Sequence, residues 1–249
     1  MHGLILALQF LTRLPTPRLA VVSPAHMAGC VVWFPLVGLL IGALVAASAW
    51  LGAQEDPWLG ALLGLVAWVG LTGALHLDGL ADLADALGAA HRLADPTARR
   101  ERLLQVLADP HLGVFGGVAL VLQLLAKLVL IMLAVQVGAY LALLLAPAWS
   151  RWGVLLWSRL PPLKPGLGER FAWRSGNLAI VFWALALALA GFLQPMLALG
   201  FVWTPAWRYW LLRRLGGMTG DALGAGVEWG ESVLLLAWLL IWPGPSGLF

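Results

Sequence analysis

His76, Asp78, Asp82 and Asp85 fall within ten residues, in the run His76-Leu77-Asp78-Gly79-Leu80-Ala81-Asp82-Leu83-Ala84-Asp85, directly after an apolar stretch long enough to cross a bilayer. On a helix advancing about 100° per residue the three aspartates lie within about 60° of one another, so one face carries three carboxylates. Each aspartate at membrane depth costs roughly 2.5 to 3.5 kcal/mol, and like charges three and four residues apart repel. A divalent cation reverses that repulsion, and hard carboxylate oxygens suit Mg²⁺ or Mn²⁺ better than a soft metal. The competing reading is an acidic, solvated helix face just outside the membrane. The Leu, Ala and Gly between the acids argue against it, since a wet surface would carry Lys, Glu and Ser there.

A second acidic station runs from Gly216 to Glu231. Asp221 and Glu228 are seven residues apart and share a face if the segment is helical. Asp85-Ala86-Leu87-Gly88-Ala89 recurs as Asp221-Ala222-Leu223-Gly224-Ala225, a weak echo whose chemical content is two small-residue helices, each bearing an acid that a neighbouring backbone can approach. Gly216, Gly217 and Gly220 around Thr219, with Arg213 and Arg214 upstream, suit a loop whose N–H groups meet phosphate, or else a plain helix-breaking turn. Between the stations lie Arg99-Arg100-Glu101-Arg102 and Asp109-Pro110-His111-Leu112-Gly113, the arginines reading either as phosphate ligands or as topology anchors. Lys127 and Arg151 sit inside apolar runs, where a cation needs an anionic partner or a polar cavity. Both are expected to face the bundle interior, near the carboxylates or a phosphorylated substrate.

Membrane helices must position these groups. With 61% apolar and 11% charged residues, and a mean hydropathy of +0.90, the chain falls outside the soluble globular class. Its 249 residues read as a single integral domain, 1–249, with no cleaved signal peptide. Cys30 is the only cysteine, which excludes an intrachain disulfide and a cysteine-based metal cage. A pI of 9.6 invites a nucleic-acid reading, but the basic residues are scattered over short loops and form no patch, so no nucleic-acid partner is expected.

Hydropathy windows predict seven spans, near 29–50, 58–76, 113–136, 138–157, 177–194, 196–212 and 232–242. The fold expected is thus an all-α polytopic bundle of about seven transmembrane helices. Met1 to Leu14, too short to span, reads as an interfacial or re-entrant helix preceding them. Arg13, Arg18, the 92–102 arginines, Arg159, Lys164, Arg170, Arg174, Arg213 and Arg214 all lie on alternate connections. The intervening loops around Glu55-Asp56, Val137-Gly138 and Gln194-Pro195 carry no Lys or Arg. The positive-inside rule then places both acidic stations on the cytoplasmic side. Most of the 15 tryptophans fall near predicted span ends and read as interface anchors.

Taken together, Gln9-Phe10-Leu11-Thr12-Arg13-Leu14-Pro15, Phe34-Pro35-Leu36-Val37-Gly38, His76 to Asp82, Asp109 with Gly113, Lys127, Arg151 after Ser150, and Gly217 with Thr219-Gly220-Asp221 and Glu228 resemble the cobalamin synthase family of adenosylcobinamide-GDP ribazoletransferases. The landmarks occur in the family's order from residue 5 to about 231. The resemblance implies an Mg²⁺-dependent transferase of the prokaryotic cytoplasmic (inner) membrane. It would join α-ribazole, or its 5′-phosphate, to adenosylcobinamide-GDP and release GMP at the end of vitamin B12 assembly. Its partners would be those substrates and the lipid bilayer, and a homo-oligomer is compatible with it.

On that reading Asp78, Asp82 and Asp85 hold metal, and Asp221 with Glu228 bind a second ion. Arg13, Arg102, Asp109, Lys127, Arg151, Gly217, Thr219 and Gly220 attend the substrate phosphates, and Asp85 or His76 takes the hydroxyl proton. Two departures stand out: the family commonly has Asp-Ser-Arg where this chain has Asp109-Pro110-His111, and the 165–178 loop does not follow the family pattern. Two other classes compete. A CDP-alcohol phosphotransferase would show an Arg after Gly79 at a spacing absent here, and a cation-coupled transporter would show inverted repeats stronger than the five-residue echo.

Overall fold

In the computed structural model the described residues form ten α-helices. They are α1 (His2–Leu11), α2 (Phe34–Ala53, entered through a 3₁₀ turn at Val31–Trp33), α3 (Pro57–Thr72), α4 (Leu75–Ala90), α5 (Pro96–Val106), α6 (Val114–Gln136), α7 (Tyr140–Trp157), α8 (Asn177–Leu193), α9 (Gly200–Arg214) and α10 (Gly220–Ile241). The structure describes residues 2–17, 19, 27, 29–163, 176–193 and 198–241, and among these no strand occurs, only one isolated bridge between Pro162 and Met218. Arg18, Lys164, Arg170, Arg174, Gln194-Pro195 and most of the 165–178 loop lie outside the described residues.

Against seven predicted crossings, three helical segments among the described residues are long and apolar enough to span: Val31–Ala53, Val114–Gln136 and Gly220–Leu240. α3 and α4 together qualify as a fourth, broken span. The shortfall has physical causes. α7 is buried along nearly its whole length at the centre of the bundle, which lets it carry Pro147 and Arg151 where a lipid-facing helix could not. α8 and α9 have 17 and 15 residues, and the ten residues of α1 rise only about 15 Å, half the thickness of the hydrocarbon core.

The predicted span 58–76 is interrupted. Asp56 starts α3 by accepting hydrogen bonds from the N–H groups of Trp58 and Leu59, at 2.8 and 3.2 Å. α3 stops where Gly73 and Ala74 both adopt φ of +59°. Glycine takes that conformation freely; at Ala74 it costs about 1–2 kcal/mol. The two residues swing α4 away from α3 by 85°, so the aspartate helix does not continue α3 in line and the pair is broken at Gly73-Ala74. The last predicted span also differs. α10 begins at Gly220, twelve residues before residue 232, so the second acidic station is the first half of a continuous helix.

α2 packs on α3 and α7, while α10 lies in contact with α4, α6 and α7. Tryptophans join α9 to its neighbours: Trp207 and Trp203 donate to the carbonyls of Ala222 and Gly226 on α10, and Trp157 donates to the Thr204 carbonyl. Trp149, Trp157 and Trp207 are therefore buried helix staples, contrary to the interface-anchor reading, whereas Trp50 and Trp58 are exposed as such anchors must be.

Candidate active site

The two acidic stations meet. At Gly79 a Cβ atom would stand 2.8 Å from both the Cα and the carbonyl oxygen of Asp221, so α4 and α10 touch backbone to backbone where only glycine fits. Asp78 adjoins that contact, Asp82 lies one turn further along α4, and Asp221 occupies the first turn of α10. Asp78 is exposed; Asp82 and Asp221 are half-buried. A cluster open to water on one side and backed by a helix N-terminus attracts anions through the helix dipole and cations through its carboxylates.

Asp85 departs from the expectation. Its two oxygens accept hydrogen bonds from the N–H groups of Gly113 (2.7 Å) and Gly116 (2.8 Å). The first N–H groups of α6 have no partner within their own helix, and Gly113, its N-cap residue, has no side chain to supply one. Asp85 supplies it from α4, and both its oxygens accept from backbone donors.

Glu228 departs likewise. It does not stand beside Asp221 but lies in the interior, where Lys127 Nζ meets Glu228 at 2.7 Å and Glu231 at 2.6 Å. Arg151, 0% exposed, donates to Glu231 at 2.7 Å and to the Pro147 carbonyl at 2.9 Å. Gln123 donates to the carbonyl and side chain of Glu228 and to Ser232. Two cations and two carboxylates thus cancel inside the bundle, as burial of charge demands. Lys127 also lies 4.3 Å from the ring centre of Trp68. The expectation that Lys127 and Arg151 face the interior holds, but their anionic partners are these glutamates. Sequence reasoning named no role for Glu231, although it follows Glu228 by three residues on one face and the two buried cations required acids.

His76 connects the two layers. It is buried, with Nδ1 in a long 3.5 Å contact with the Arg151 guanidinium. A guanidinium only donates, so Nδ1 meets Arg151 as the acceptor and Nε2 is the ring nitrogen left for another partner.

The glycine-rich loop is held by its own contacts. Thr219 Oγ accepts from the N–H of Ala222 at 3.1 Å and caps α10. A Cβ at Gly217 would strike the Pro161 carbonyl, and Met218 N–H bonds that same oxygen at 2.9 Å. Gly217 and Thr219 therefore serve the loop itself, and Gly220, exposed with open space around it, is the accessible backbone position. Arg13 N–H bonds the Leu71 carbonyl at 2.7 Å, and its side chain lies over Gly73 at the α3–α4 break, on the approach to His76 and Asp78. Arg102 is exposed on α5 and bonds Gln105. Asp109 accepts from the ring Nδ1 (2.6 Å) and the N–H (3.1 Å) of His111, which hold its carboxyl below the usual range.

Among the described residues no three His, Cys, Asp or Glu side chains converge as a ready metal cage. Mg²⁺ seldom needs one: it binds through one or two carboxylates and completes its octahedron with water and substrate phosphate. Asp78, Asp82 and Asp221, all hard oxygen donors at one helix crossing, fit that pattern.

Comparison with known proteins accords with this chemistry. The sequence pattern of the cobalamin-5-phosphate synthase family matches residues 3–239. An adenosylcobinamide-GDP ribazoletransferase of Laribacter hongkongensis is 58% identical over 239 residues, covering 95% of this chain and 96% of that protein. The protein of the same name from Thiobacillus denitrificans is 54% identical over 238 residues, covering 95% and 94%. No solved structure matches.

Proposed function

The chain belongs to the cobalamin-5-phosphate synthase family, and from that membership we propose that it is an adenosylcobinamide-GDP ribazoletransferase, an enzyme that makes adenosylcobalamin late in vitamin B12 biosynthesis. The observation that supports its assignment to particular residues is the backbone contact of Gly79 with Asp221, which brings α4 and the start of α10, both aspartate-bearing, against each other. In the reaction the 5′-hydroxyl of α-ribazole attacks the β-phosphorus of adenosylcobinamide-GDP, a P–O bond forms, the bond to GMP breaks, and the hydroxyl proton is released. Mg²⁺ held by Asp78, Asp82 and Asp221 would supply charge neutralisation on the non-bridging oxygens.

The chain's own groups do the rest. Backbone N–H groups at Gly220, at the positive end of α10, and the Arg13 guanidinium meet phosphate oxygens. Asp78, exposed on the outer edge of its face, is the carboxylate open to the attacking hydroxyl. His76, fixed by Arg151, donates from Nε2 toward developing negative charge. The active face is cytoplasmic and the membrane is the inner one, a reading supported by the basic residues gathered on that side of the helices.

The test is GMP release by the purified protein in nanodiscs given both substrates. EDTA should abolish it and Mg²⁺ should restore it. Asp82→Asn, which removes a charge but almost no volume, should lower it by orders of magnitude with the fold intact. Wild-type release from the variant at saturating Mg²⁺, or release unaffected by EDTA, would refute the metal-site assignment.

A further inference from the structure

The side of α4 opposite the aspartates is apolar. On a helical projection Leu80, Leu83 and Leu87 point roughly 170° from the mean direction of Asp78, Asp82 and Asp85. That leucine face walls a part-open cavity of about 500 Å³, whose lining also includes Ala84, Gly88, His91 and Arg92, with Phe115 from the start of α6 and Trp229 from α10. Phe115 is 56% exposed, so the cavity opens outward past an aromatic rim. Arg92 is exposed and, among the described residues, engages in no ion pair.

We propose that this cavity is a binding site for one anionic phospholipid, its acyl chain against Leu80, Leu83 and Leu87 and its phosphate at Arg92. The 85° break at Gly73-Ala74 carries the inference. With α3 and α6 running through the hydrocarbon, α4 runs along the surface, Asp78 toward water and the mouth of the cavity, floored by the buried Leu80 and Leu83 and the half-buried Leu87, toward lipid. Aromatic side chains beside an arginine mark the membrane–water boundary, where an aliphatic trough and a headgroup phosphate occur together. A free phosphate has no use for the trough, and a neutral lipid gains nothing from the arginine. The substrate groups belong on the opposite, acidic face. The bound lipid lies beneath the helix that holds the carboxylates and supports it.

The experiment is photocrosslinking in nanodiscs of the full chain, with a diazirine-bearing acyl chain on either phosphatidylglycerol or phosphatidylcholine, followed by peptide mapping. The wild-type protein should label peptides containing Leu87 and Phe115, with a preference for the anionic probe of about fivefold, the value of one arginine at a membrane surface. Arg92→Gln should bring that preference near unity while labelling persists. Ala84→Phe, which fills the cavity wall, should remove labelling by both probes with helicity unchanged. Equal labelling by the two probes in the wild type overturns the headgroup assignment, and cavity labelling insensitive to Ala84→Phe overturns the trough. Should Ala84→Phe fail to fold, the exposed Arg92→Gln decides alone, an unchanged preference sinking the proposal.

Discussion

Asp85 gives both carboxylate oxygens to N–H groups at the start of α6, and the consequence can be measured. Asp85→Ala should destabilise the detergent-solubilised protein by about 1–2 kcal/mol, the upper range for a lost cap, and should lower GMP release only as far as it lowers the folded fraction. Asp85→Asn, which keeps one acceptor, should fall between Ala and the wild type in thermal unfolding. Glu231→Gln should cost more, about 3–5 kcal/mol, because it leaves buried Arg151 and Lys127 short of their counter-charge; a melting curve like the wild type's would show the network to be dispensable. Residue types alone disclosed that acids and intramembrane cations mattered. They did not disclose the pairing, because Asp85 is satisfied 28 and 31 residues away and Arg151 is satisfied 80 residues away. Spacing along one helix carries no information at that range.

At the scale of helices, the contact between α4 and α10 is the element that assembles the site. A single methyl on Gly79 would stand within 2.8 Å of Asp221 backbone, and overpacking of that kind costs about 1–3 kcal/mol. Gly79→Ala should reduce GMP release by up to about 100-fold, since displacing α10 by an ångström misaligns Asp221 with Asp78 and Asp82. Gly70→Ala, where a Cβ meets nothing, is the control and should behave as the wild type. The approach of the two stations was legible in the sequence, through the small residues around each. The break between α3 and α4 was not: Gly73 looks like any glycine in an apolar run, and an alanine in the left-handed region, as at Ala74, is a choice imposed by tertiary packing. The continuity of α10 was hidden for a related reason. Its acids lower the hydropathy of a helix whose buried cations make those acids tolerable.

Across the whole molecule, charge distribution sets orientation. The loop around Glu55 should be reached only from the side away from the cytoplasm. With Cys30→Ala as background, Glu55→Cys should react with an impermeant maleimide from the periplasmic side; labelling from the cytoplasmic side alone would invert the molecule and its active face. Cys30 is itself buried, so the background substitution is mild. The neutral interior has a consequence for biogenesis. α6 and α7 leave the ribosome each with one cation, Lys127 and Arg151, while both matching acids arrive later, on α10. Until α10 emerges, the nascent chain holds two uncompensated charges that each cost roughly 2.5–3.5 kcal/mol in hydrocarbon. Release of the earlier helices from the insertion machinery should therefore wait for α10, which makes synthesis through Glu231 a condition for the bundle's entry into lipid.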